Sequence, residues 1–171
     1  MNIERTHPAA WLWLSAIIVA VDQATKFLVA RFFDLYERVE VLPVLDFTYV
    51  RNTGAAFSML AGASGWQRWL FIGLGATMST VLAVWLWRLP RGKRMIAISL
   101  ALILGGALGN VVDRIMHGFV IDFIHAHWHG AYFPAFNVAD SAISVGASLV
   151  VLDSLRDALR ERRAKAAGTD S

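Results

Sequence analysis

Two carboxylates stand in sequence that is otherwise apolar: Asp122 within Val120-Ile121-Asp122-Phe123-Ile124, and Asp140 within Asn137-Val138-Ala139-Asp140-Ser141. An ionisable side chain in or beside hydrocarbon costs at least ~2.5 kcal/mol, which makes each a functional candidate. Neither has a cation next to it in the chain. Two carboxylates held close together cannot both ionise freely, so one keeps a proton at neutral pH. Such a pair suits acid/base chemistry, the ionised partner activating water while the protonated one polarises a carbonyl. Cleavage of a membrane-held peptide is the natural use. A proton-coupled transporter is the rival, because paired intramembrane acids also relay protons.

The surrounding composition is that of a membrane protein. Of 171 residues, 57% are hydrophobic and only 17% charged, and mean hydropathy is +0.51, too apolar for an ordinary soluble domain. The net charge of +3 does not form a nucleic-acid face. Its basic residues gather at Arg88 to Arg94 and at Arg156 to Lys165, flanking apolar runs, and no nucleic-acid-binding motif accompanies them. The absence of cysteine excludes disulfides, Cys-based catalysis, thiolate metal sites and palmitoylation together. A Gly-x-Ser-x-Gly elbow and a His-Glu-x-x-His helix are also missing.

Four segments are long and apolar enough to span a bilayer, which takes about 20 residues. They cover residues 9–29, 66–87, 95–112 and 138–155. The first carries polar residues and runs on into another apolar stretch, so it reads as a retained helix rather than a cleaved leader. Trp11, Trp13, Trp85 and Trp87 mark one interface, and Trp66 and Trp69 the other. The basic clusters place the 88–94 connection, the 156–171 tail and both termini in the cytoplasm. Residues 30–65 and 113–137 are then outside. Within the first of these, Val39 to Val50 suits strands broken at Pro43, and residues 55–60 suit a short interfacial helix. The expected fold is an all-α membrane protein: a four-helix bundle with a small outer β-sheet, in one integral domain over 1–171.

Polar residues on three spans converge in depth. At ~1.5 Å rise per residue, Asp22 lies about 20 Å and Asn110 about 22 Å above the inner ends of their helices. Asp140 stands just inside the outer end of the fourth span. Asn110, Asp113, Arg114 and His117 share one helical stripe; Asn137, Asp140, Ser141, Ser144 and Ser148 share another. Asp22 and Lys26 form an i,i+4 pair in the favourable acid-first order. Such stripes must face each other or water, because unsatisfied polar groups in lipid cost several kcal/mol. Asp22 with Lys26, and Asp113 with Arg114, also read as plain ion pairs and caps. The run Gly105-Gly106-Ala107-Leu108-Gly109 permits close helix approach. His125, His127 and His129 alternate and would share a face on a strand. Three histidines can bind zinc, yet they lie beside Trp128 in an outer loop at headgroup level, and no metal is expected.

Five blocks, in order, carry a resemblance: Asp22-Gln23-Ala24-Thr25-Lys26, Asn52 to Ser58, Gly105 to Arg114, Val120-Ile121-Asp122-Phe123 and Phe136 to Asp140. Together, on a four-span frame, they resemble the bacterial lipoprotein signal peptidases (signal peptidase II). The resemblance implies an aspartic endopeptidase of the bacterial inner membrane whose catalytic pair is Asp122 and Asp140, with its site near the periplasmic face. It implies a diacylglyceryl-modified prolipoprotein as substrate, cut just before the lipidated cysteine, and no cofactor. Asn52, Gly54, Asn110, Arg114 and Asn137 would surround substrate and dyad; Asp22, Lys26 and Asp113 would support them. A monomer in the phospholipid bilayer is expected, with residues 52–60 closing over substrate and Arg114 binding its carbonyl or ester oxygens.

Overall fold

The computed structural model describes residues 7–54 and 65–166. The interfacial helix expected over 55–60, and the closing movement expected of 52–60, fall largely outside them. After a tight turn at Pro8–Trp11 the chain forms α1 (Leu12–Phe32), β1 (Arg38–Leu42), β2 (Leu45–Asn52), α2 (Trp66–Arg88), α3 (Arg94–Met116), β3 (Val120–Trp128), β4 (Ala131–Tyr132) and α4 (Val138–Ala166). All four helices are long and apolar enough to cross a membrane. Their outward faces carry large exposed apolar side chains, such as Phe27, Leu74, Val81, Trp87 and Val151. Only lipid tolerates that much exposed hydrocarbon.

The most apolar helix, α3, sits at the centre. Half of its most apolar stretch is buried, against 17–22% for the other three. Leu82, Leu86, Ala97, Leu100, Ala101 and Leu104 form the core between α2 and α3. Toward the sheet end the glycines of α3 replace bulk with proximity. A Cβ on Gly106 would run into the carbonyl of Ala139 on α4, and one on Gly109 would sit 2.7 Å from Asp22 Oδ2 of α1. Both helices therefore reach the backbone of α3 at the depth where the polar residues stand.

The sheet is antiparallel in the order β1-β2-β3-β4. Pro43 and Val44 lie in the turn between β1 and β2, where Pro43 breaks the run as its missing N–H requires. Val50 pairs with Asp122 and Asn52 with Val120. Val29, Tyr49, Ile121 and Phe123 pack together and seat the sheet on α1.

Two helix ends and the placement of the histidines differ from expectation. α3 continues to Met116 rather than ending at Val112, so Asp113 and Arg114 are helical and not part of an outer loop. Arg68 explains the extension, because its guanidinium donates to the carbonyls of Arg114 (2.9 Å) and Ile115 (2.8 Å) and satisfies the helix end. α4 continues through the expected tail to Ala166. Its Leu, Arg, Glu and Ala are strong helix formers, and Asp157 pairs with Lys93 at 3.0 Å. The histidines do not share an outer loop: His125 and His127 lie on β3, whereas His129 turns away with φ 46°. Tyr132 stacks on the first two, at ring separations of 5.0 and 5.2 Å. Among the described residues, no three His, Cys, Asp or Glu side chains converge to hold a metal ion.

Candidate active site

Asn137 organises the site. It is the last residue before α4, and its side-chain Oδ1 accepts from the backbone N–H of Asp140 at 2.9 Å. Asp140 Oδ2 in turn accepts from the N–H of Asn137 at 3.3 Å. This reciprocal cap satisfies two orphan donors and fixes the Asp140 rotamer at the positive end of the helix. The amide of Asn137 points the other way and donates to Asp122 Oδ1 at 2.8 Å. One residue thus touches both carboxylates.

Each carboxylate has a second amide donor. Asn52, at the end of β2, donates to Asp122 Oδ2 at 2.9 Å; its own Oδ1 accepts from the N–H of Gly54 at 3.0 Å. Asn110 of α3 donates to Asp140 Oδ1 at 2.8 Å. Asp122 is only 2% exposed. Burial, and then the neighbouring Asp140, push its carboxyl up to about 7, against the opposing pull of the Asn52 and Asn137 hydrogen bonds.

Behind the carboxylates lies a buried ionic cluster. Lys26 Nζ is 2.7 Å from Asp22 and 2.9 Å from Asp113, and it donates to Asn110 Oδ1 at 3.1 Å. Asp22 accepts from the N–H of Ala139 at 2.9 Å, and Asp113 from the N–H of Ile121 at 3.0 Å. The cluster therefore ties α1 and α3 to the strand that carries Asp122 and the helix that carries Asp140. Gln23 completes it, donating to Asp113 at 2.8 Å and to the Gly109 carbonyl at 3.2 Å. Sequence reasoning missed Gln23; an uncharged amide inside a span, beside Asp22, was the available signal.

Arg114 does not pair with Asp113. Its Nη2 donates to the Gly54 carbonyl at 2.9 Å and its guanidinium lies over the Phe71 ring, 5.0 Å from the centroid. His117 is exposed and stacks on Phe119, away from the carboxylates. Ser148 is also exposed and bonds the carbonyl of Ser144. Asp122 and Asp140 open onto a cavity of about 860 Å³ that Asn52, Asn110, Arg114 and Ser144 also line. Phe133 and Phe136, which precede α4, and Ile143 and Val145 of α4 form an apolar patch in it beside Ser141 and Ser144. Its sheet side is polar, with Tyr36, Arg38, Thr48 and Arg51, four residues not foreseen from sequence.

Four lipid-facing helices, a small antiparallel sheet and two linked carboxylates on a large cavity define a multi-pass membrane enzyme. Two solved structures, each titled a bacterial membrane enzyme, share the fold. One has a TM-score of 0.79 and 30% identity, covering 87% of this chain and 89% of that chain. The other has a TM-score of 0.77 and 29% identity, covering 86% and 94%. The family model described as signal peptidase (SPase) II matches residues 14–156. The lipoprotein signal peptidase of Shewanella halifaxensis is 50% identical over 84% of this chain and 85% of its own. That of Pseudomonas syringae pv. tomato is 54% identical over 86% of each. This chain belongs to the signal peptidase II family.

Proposed function

We propose that this peptidase removes the signal peptide from diacylglyceryl-modified prolipoproteins by aspartic catalysis, with Asp122 and Asp140 as the catalytic pair. The observation that carries the reading is the bridge through Asn137, which holds both carboxylates on one cavity. A water between them attacks the carbonyl preceding the lipidated cysteine. The ionised carboxylate takes its proton while the protonated one hydrogen-bonds the developing oxyanion; as the C–N bond breaks, the proton taken from water passes to the leaving amine, and the pair again holds one shared proton. Asn52, Asn110 and Asn137 keep the carboxylates oriented, Arg114 and Gly54 shape the substrate channel, and Asp22, Lys26 and Asp113 support them from behind. The acyl chains stay in the bilayer, which sets the scissile bond at the depth of the dyad. The protein works as one monomeric unit in the bacterial inner membrane, termini inside and site toward the periplasm, in line with its basic connections. Membership of a peptidase family removes support from the transporter reading.

The purified protein is expected to cleave a diacylated prolipoprotein and to leave its unlipidated counterpart intact, as read by mass shift. Cleavage of both, or of neither, rejects the assignment. A second expectation concerns pH. The mechanism needs one shared proton, and with the Asp122 carboxyl raised to about 7 that proton is lost as pH climbs past this value. The second-order rate constant should then fall about tenfold per pH unit on the alkaline side. A rate that stays flat or rises between about pH 7 and 9 contradicts a protonated partner at this site.

A further inference from the structure

The cavity wall opposite α4 is basic. Arg38 and Arg51 line it, while the only acids among the described lining residues are Asp122 and Asp140 themselves. Arg38 is weakly neutralised: its Nε is 3.6 Å from Asp46, its side chain is 47% exposed, and Asp46 also engages His127 at 3.2 Å. Arg51 has no carboxylate within ion-pair distance among the described residues. It donates to the Tyr49 hydroxyl at 3.1 Å and lies over the rings of Tyr49 and Phe119. Residues 55–64, which join β2 to α2, contain no Asp or Glu. Arg51 pairs with Ile121, so its guanidinium stands on the α1 face of the sheet with Tyr49, whereas Arg38 pairs with Thr48 of the cavity lining. The Arg38 guanidinium lies over the Tyr132 ring, 4.8 Å from its centroid, and stays half exposed at the cavity edge.

Position decides what they meet. The signal peptide is apolar and belongs with the bilayer and the patch of Phe133, Phe136, Ile143 and Val145. The mature chain must leave toward water, over the sheet. Asp122 pairs with Val50 and Arg38 with Thr48. Two residues along β2 and two strand spacings across separate Arg38 from Asp122, about 12 Å or roughly three to four extended residues. We propose that Arg38 is a specificity-determining residue that reads the charge of the mature segment about three or four residues past the cut, favouring acidic side chains and opposing basic ones. This rests on the prolipoprotein reading above and adds a substrate preference to it.

The test uses three diacylated prolipopeptides, identical except for Asp, Ser or Lys at the third and fourth positions after the cleavage site. The full-length protein in neutral detergent is expected to favour the Asp over the Lys peptide by about tenfold in kcat/KM at low salt, approaching parity near ~1 M salt. The variant R38Q should shrink that ratio below about twofold, and R38K should retain it. Equal rates for the Asp and Lys peptides with the unmodified protein overturn the proposal, whatever the variants do. So does an acid preference that survives in R38Q. If Arg38 holds a lipid headgroup instead, added anionic lipid changes all three rates alike and the ratio stays at one, which also overturns it. Failure to cleave any of the three, by contrast, falls on the prolipoprotein function itself.

Discussion

Asp122→Asn and Asp140→Asn should each lower the cleavage rate by about three to four orders of magnitude, while the protein still inserts and purifies as before. General acid–base roles are worth about 10²–10⁴ in rate, and this mechanism asks two such roles of one pair. Neither amide can take or give the shared proton. The hydrogen-bond pattern makes the test demanding, because each carboxylate accepts from two N–H donors: Asn52 and Asn137 for Asp122, Asn110 and the Asn137 backbone for Asp140. An asparagine offers one acceptor and one donor, so one contact in each variant turns repulsive, at about 1–3 kcal/mol. Thermal unfolding of each variant separates that cost from lost chemistry. If either variant keeps more than about a tenth of the activity while folded, the dyad does not perform the reaction and the role of general acid–base catalysis here must be abandoned.

Much of the bundle was legible from the chain because membrane spans follow a coarse rule. Apolar length and flanking basic residues locate them, and no long-range information is needed. The depth argument also worked from rise per residue alone, drawing Asp22, Asn110 and Asp140 to one level before any packing was known. Partner choice was less accessible. Asp113 and Arg114 are adjacent and of opposite charge, which suggests a pair, yet consecutive helical residues point about 100° apart. Asp113 turns to Lys26, and Arg114 to Gly54. The strand β3 was hidden for another reason. Val120 to Ile124 is apolar on both sides of Asp122, since one face seats on α1 and the other lines the cavity, so the period-two alternation of a half-exposed strand is absent. The helix ends were set by contacts from elsewhere in the chain: Arg68 on α3 and Lys93 on α4. The basic cavity wall depends on how β1 registers against β2, which local sequence does not specify.

The ionic cluster behind the dyad predicts the largest loss of stability. Lys26 is 1% exposed and is the only cation within ion-pair distance of Asp22 and Asp113 among the described residues. Lys26→Met keeps most of the volume but leaves two buried carboxylates uncompensated. Breaking a buried pair from one side costs about 3–5 kcal/mol, on the order of 10 °C in unfolding midpoint for a chain of this size. Removing the charges together is milder, because no unpaired ion remains. The triple variant Asp22→Asn, Lys26→Met, Asp113→Asn should therefore recover at least half of the lost midpoint. Activity should not return with it. Asn110 Oδ1 loses its Lys26 donor in both proteins and keeps only the longer 3.3 Å bond from Asn137, so the amide that orients Asp140 is less firmly held. Stability restored without activity marks the cluster as a positioning device for the dyad. A single variant within about 1 °C of the parent would show that the two carboxylates take up protons at little cost, and that their charge does not hold α1, α3 and α4 in place.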